Sequence, residues 1–155
     1  MSDHAQDAGF HSNEEFVTFL IAEQLFGVPV LQVQDVLRTH RITRIPLAPP
    51  EIAGSLNLRG RIVTAIDVRR RLGLEPCDQE NCMSIVTENE GELYSLIVDS
   101  VGEVLALNRE ELEENPATLD STFKNYSAGI YRLNDQLLVV LDVERLLDYG
   151  QRRVA

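Results

Sequence analysis

The sequence predicts a mainly β protein built as two linked small barrels, and two observations carry that prediction. The first is an internal repeat: residues Gly54–Leu72 (GSLNLRGRIVTAIDVRRRL) align without a gap on Gly129–Leu147 (GIYRLNDQLLVVLDVERLL). Gly54 falls on Gly129, Leu58 on Leu133, Asp67 on Asp142, Arg70 on Arg145 and Leu72 on Leu147. Upstream and in the same order, Leu25–Val30 falls on Leu93–Val98 and Val33–Leu37 on Val101–Leu105. Two blocks in register describe two similar units in tandem. The second observation is a series of short apolar runs at regular spacing with turn residues between them, which indicates barrels or a sandwich. Two linked barrels fit the repeat best.

Taken in order, residues 1–13 (MSDHAQDAGFHSN) are polar and expected to be a disordered leader. Phe16–Ile21 reads as a strand, turned by Ala22-Glu23-Gln24 into a hairpin partner, Leu25–Pro29. Val30–Leu37 fits either a helical turn or a strand, and its duplicate, with Gly102 inside, favours a strand. Ile42–Ile45 alternates and stops at Pro46, while Pro49–Ala53 reads as one helical turn because proline suits the first turn. Arg59-Gly60-Arg61 is a turn leading into the strand Ile62–Ile66. Asp67 is placed to cap a short helix, Val68–Leu72, that Gly73 ends.

Residues 74–82 (LEPCDQENC) form a polar link between the halves. Met83–Thr87 and Glu92–Asp99 make a hairpin over Asn89-Glu90-Gly91. Residues 109–116 (REELEENP) are acidic and read as a short helix or a loop. Ala128–Leu133 and Gln136–Leu141 form the last hairpin, and Asp142 caps a final helix over Val143–Tyr149.

Composition narrows the function classes. At 155 residues, with 44% hydrophobic and 25% charged residues, the chain is one ordinary globular domain. No run of 18 apolar residues is present and the N-terminus lacks a secretory pattern, so a cytoplasmic protein is expected. The net charge of −11 is uneven: residues 38–71 hold eight arginines against two acids, Glu51 and Asp67, for +6, leaving −17 elsewhere. That segment reads as a contact surface or as solvated strand edges. Global acidity, and a basic segment without Phe, Tyr or Trp to stack bases, argue against nucleic acid as a partner.

No catalytic centre or cofactor site assembles from the residues. His4 and His11 lie in the leader, and His40 stands alone among arginines. Nucleophile elbow, phosphate loop and dinucleotide fingerprint are all missing. Cys77 and Cys82, with no histidine nearby, make a poor zinc site and read as free thiols. The acidic run 110–114 lacks the glycine turn and alternating oxygens of a calcium loop. The expectation is a non-enzymatic protein without cofactor or metal.

One combination of motifs is specific. Asn57-Leu58-Arg59-Gly60 follows Pro50-Glu51-Ile52-Ala53-Gly54 and leads into Ile62–Asp67-Val68-Arg69. With Phe16–Phe19, Phe26-Gly27-Val28, Val33-Gln34-Asp35-Val36, Val98–Val101 and Leu141–Leu147, it resembles the CheW family of bacterial chemotaxis coupling proteins across about residues 15–149. The resemblance implies two SH3-like five-stranded β-barrel subdomains around a shared hydrophobic core. It places a CheW-like domain at 14–150, linked near 74–82, with a short tail at 151–155.

It also implies an adaptor between the cytoplasmic tip of methyl-accepting chemoreceptors and the regulatory domain of a CheA-type histidine kinase, at membrane-associated receptor arrays. The expected receptor-binding residues are Val33, Asp35, Arg59 and Ile62. In the family Arg59 is usually partnered by a glutamate, and this chain offers the shorter Asp35 instead. Kinase contact is expected at the first barrel's edge, through Arg44 and Arg61. The alternatives are a sister pathway controlling pili or surface behaviour and, with weaker support, a small barrel that binds nucleic acid through the arginines of 38–71.

Overall fold

In the computed structural model, which describes residues 13–38, 42–76 and 81–148, ten strands form two five-stranded sheets. In chain order they are β1 (Asn13–Ile21), β2 (Gln24–Pro29), β3 (Val33–Arg38), β4 (Ile52–Leu58), β5 (Arg61–Asp67), β6 (Met83–Asn89), β7 (Glu92–Val98), β8 (Ser100–Asn108), β9 (Ser127–Arg132) and β10 (Leu137–Leu141). Three four-residue helices accompany them: α1 (Val68–Arg71), α2 (Ser121–Lys124) and α3 (Val143–Leu146).

The strand orders are β8-β1-β2-β10-β9 and β3-β6-β7-β5-β4. Replacing each strand of the first repeat by its counterpart in the second turns one order into the other, so the duplication extends to topology. The repeats nevertheless do not coincide with the sheets. The first sheet joins β1 and β2 to β8, β9 and β10, and the second joins β3, β4 and β5 to β6 and β7. A parallel pair marks the exchange in each: β10 on β2, and β5 on β7.

Burial follows from that exchange. The largest cluster lies between the sheets, with Phe19, Phe26 and Val28 from one and Ile66, Ile85 and Leu96 from the other. Phe19 stacks on Phe26 at 5.5 Å, and Phe123 of α2 meets Phe26 edge-on. Each sheet also wraps a smaller interior: Phe16, Tyr131, Leu138 and Val140 in one, Leu56, Val63, Val86 and Ile97 in the other. The structure thus has the shared hydrophobic core and the two five-stranded units expected from sequence.

Local chemistry explains why the repeat kept particular residues. The carboxylates of Asp67 and Asp142 accept from the backbone N–H of Arg70 and Arg145, capping α1 and α3. Gly73 closes α1 with φ +80°, its N–H donating to the Arg70 carbonyl while the Leu74 N–H reaches that of Arg69. Gly54 and Gly129 sit at φ +151° and +144°, where the chain presses against a flanking segment. There Ser55 exchanges backbone hydrogen bonds with Thr43, and Ile130 with Glu113.

Several expectations change. Asn13, assigned to the leader, opens β1. Val30–Leu37 divides into a 3-10 turn, Val30–Gln32, and β3. The strand expected over Ile42–Ile45 is a single bridge at Thr43, because Pro46 cuts it short. The helical turn expected over Pro49–Ala53 is one turn bond from the Ile52 N–H to the Pro49 carbonyl, since Ile52 already pairs with Ile66 in β4. Residues 109–116 hold a 3-10 turn, Arg109–Glu111, and the Glu113 bridge. The helix α2 was not foreseen. Cys82 is buried and disulfide-bonded, which corrects the free-thiol reading. His4, His11, His40, Cys77 and the 151–155 tail lie outside the described residues.

Candidate functional site

The strands β4 and β5 pair through Leu58 opposite Arg61, which leaves a two-residue turn, Arg59-Gly60. Both residues are left-handed, at φ +52° and +86°, the pattern that matches the twist of a tight hairpin. The Asn57 side chain accepts from the Gly60 N–H at 3.0 Å and fixes the turn. Glycine suits such a turn without strain, whereas an L-residue there costs about 1–2 kcal/mol. Arginine therefore occupies a position that the fold alone would give to glycine or asparagine.

The Arg59 guanidinium reaches β3. Its Nη2 donates to Asp35 Oδ2 at 2.9 Å, while Asp35 Oδ1 accepts from the Val36 N–H at 2.8 Å. A register shift between Val33 and Asp35 interrupts the β3–β6 ladder next to this contact. In that sheet β3 and β4 are opposite edges, so the sheet curls enough for the Arg59 side chain to span from one edge to the other. The shorter aspartate is thus long enough to pair. One guanidinium nitrogen is engaged, not the two-pronged fork. With the Arg59 side chain 75% exposed and Asp35 25%, such a pair adds roughly 0–1 kcal/mol. That does not offset the backbone strain, so stability does not account for Arg59.

The remaining expected residues scatter. Val33 is half-buried and packs on the main core, whereas Ile62 is 69% exposed on β5. Arg44 is exposed and lines a concavity of about 930 Å³ with Ile42, Ile45, Leu47, Pro49 and Arg70. Arg61 is exposed at the hairpin tip. Arg44 follows the residue that bridges Ser55 of β4, and Arg61 faces Leu58 of the same strand, so both lie along one sheet edge.

Sequence reasoning missed two bare apolar side chains, Leu31 at 92% and Leu47 at 103% exposure. For Leu47 a signal was present: it stands between Pro46 and Pro49-Pro50, where no strand can form to bury it.

The basic segment is also more divided than its charge suggested. Arg38, Arg44, Arg59, Arg61 and Arg70 are exposed, but Arg69 and Arg71 turn inward. Arg69 grips Asp99 with both prongs, at 2.7 and 2.8 Å, and Asp99 also accepts from the Ala22 N–H. Burial pushes the Asp99 carboxyl up, but these donors outweigh it and hold it below its ordinary value. A carboxylate depressed in the fold stabilises it above the unfolded pKa of about 3.9 and loses that contribution as pH falls through the folded value. Asp99→Asn is expected to lower stability at pH 7 by about 1–2 kcal/mol. It should also flatten the decline in melting temperature between pH 5 and pH 3, which thermal melts across pH would check.

A family profile described as the CheW-like domain matches residues 15–151. The chain belongs to the CheW-like family. Chemotaxis protein CheW of Klebsiella aerogenes is 30% identical over 141 residues, covering 90% of this chain and 85% of that protein. Chemotaxis protein CheW of Treponema pallidum is 26% identical, covering 87% and 84%. Among solved structures, the scaffolding protein TtCheW from Thermoanaerobacter tengcongensis superposes with a TM-score of 0.76 at 31% identity over 86% of each chain. The fold is therefore the two-subdomain SH3-like arrangement of CheW, and the domain is a non-enzymatic adaptor. No helix among the described residues is long and apolar enough to cross a membrane.

Proposed function

We propose that this CheW-like chain couples chemoreceptor cytoplasmic tips to the regulatory domain of a CheA-type histidine kinase within membrane-associated arrays. The observation that carries the reading is Arg59: left-handed, exposed, and tethered at one point to Asp35. A tethered guanidinium is held in place for a partner and still has donors to offer. Asp35, Arg59 and the exposed Ile62 form the receptor-facing set, with Val33 supporting β3 from the core side. A receptor tip is a helical hairpin, so recognition would be helix against an apolar surface with a polar anchor. Arg44, backed by Ile45 and Leu47, together with Arg61, forms the kinase-facing edge. Such contacts are individually weak and gain strength from multivalency in an array.

Titration calorimetry against the isolated kinase regulatory domain, and separately against the receptor cytoplasmic tip, tests the proposal. Saturable binding to both is expected. Folded protein that binds neither would sink it. The double change Arg44→Glu with Arg61→Glu is expected to weaken the kinase complex by about tenfold or more while leaving receptor binding intact. Equal loss of both complexes would merge the two surfaces into one.

A further inference from the structure

The inward arginine Arg71 is the strongest unexplained feature. Its side chain is only 7% exposed. Its Nε donates to the Leu146 carbonyl at 2.7 Å, its Nη1 lies 3.6 Å from Glu51, and its guanidinium stands 5.1 Å over the Tyr126 ring. Leu146 and Tyr126 belong to the β9–β10 side of the first sheet, whereas α1 and Glu51 belong to the second.

The partners are themselves related by the repeat. Glu51 accepts from the Asp67 N–H through its carbonyl, and Tyr126 accepts from the Asp142 N–H in the same way. Arg71 therefore touches both members of a matched pair and lies at the seam between the units. Its own counterpart is Leu146, fully buried. Packing at this position thus needs only an apolar side chain, and the charge asks for another explanation. Arg69, on the same helix, makes a second crossing by donating to Asp99, which also accepts from the Ala22 N–H, whereas its counterpart in the repeat is Glu144.

Apolar burial is non-directional and by itself fixes an angle between packed layers less sharply than a directional contact does. A buried planar guanidinium held between a carbonyl, a carboxylate and a ring face is oriented by all three. The concavity of about 490 Å³ walled by Pro29, Thr87, Val140 and Val143 spans both sheets, so its shape follows the angle between them.

We infer that Arg71 is a positioning residue that fixes the angle between the two sheets. It is needed for the receptor to control the kinase, not for either partner to bind. The functional half of the inference rests on the adaptor reading above; the geometric half does not. Residual dipolar couplings of the backbone amides test the geometry, with β1, β2 and β10 compared against β5, β6 and β7. Wild-type protein is expected to fit one alignment tensor, and Arg71→Met to require two. In a reconstituted receptor–kinase array, Arg71→Met is expected to keep the wild-type affinity for the kinase regulatory domain and lose about tenfold of the receptor-dependent change in kinase activity.

Arg71→Met fitting the single wild-type tensor would overturn the inference, as would full receptor control in the variant. Should that variant fail to fold, Glu51→Gln and Tyr126→Leu each remove one contact and are expected to loosen the angle by degrees; rigid coupling in both would equally overturn it. If the wild type binds no kinase, the adaptor reading fails while the tensor comparison still decides whether Arg71 sets the angle.

Discussion

Arg59→Gly is expected to leave the fold as stable as the wild type, or slightly more stable, while weakening the receptor complex at least tenfold. Two stability terms oppose each other. Losing the exposed pair with Asp35 costs roughly 0–1 kcal/mol, and relieving an L-residue from φ +52° returns about 1–2 kcal/mol. Glycine's greater freedom in the unfolded chain takes back part of that gain. Arg59→Ala is the informative companion. It removes the same side chain but keeps the strained backbone, so it is expected to melt lower than Arg59→Gly and to bind equally poorly. Thermal melts of both variants beside calorimetry with the receptor tip read the two effects apart. Equal melting temperatures would remove the strain argument. Unchanged receptor affinity in both would remove Arg59 from the contact surface.

Gly54→Ala is expected to be the most damaging single-methyl change for stability. An added Cβ would lie 2.3 Å from the Thr43 carbonyl oxygen and 2.6 Å from Ile42 Cγ2, at a φ of +151°. Backbone supplies the closest contact, so side-chain rotation cannot relieve it. The expected cost is about 3–5 kcal/mol, and with it the melting temperature falls by roughly 10 °C. Gly129→Ala meets the Glu113 carbonyl oxygen at 2.9 Å and is expected to cost less than its counterpart. Gly60→Ala is the control: its φ of +86° is strained, but nothing lies within 4 Å, so about 1 kcal/mol is expected. The order Gly54, Gly129, Gly60 in urea denaturation checks the account. Gly54→Ala with a near-normal midpoint would mean that the flanking segment yields, and that the bridge at Thr43 is weaker than its geometry.

These two changes also show where reading the chain succeeded and stopped. The hairpin under Arg59 and the caps at Asp67 and Asp142 were legible because strand alternation, turn residues and caps act within a few residues. The kept glycines at 54 and 129 were visible as a match, but their cause was not. It depends on Thr43 and Glu113, each more than ten residues distant in sequence and adjacent only after folding. The Asp35–Arg59 contact was similarly open, since it forms only when opposite edges of one sheet curl together.

The sequence by itself determined the mainly β class, most of the hairpins, the duplication, and the residues that resemble the CheW family. Tertiary structure alone decided that each repeat gives strands to both sheets, that Arg69 and Arg71 turn inward while Leu31 and Leu47 stay bare, and that Asp35 meets Arg59. The reason is physical. Side-chain period and turn chemistry are properties of neighbours along the chain, but ladder partners are not. Any apolar-alternating strand can pair with several others, and the choice goes to the arrangement that buries one continuous core, here the cluster joining Phe19, Phe26, Ile66 and Leu96 across both sheets.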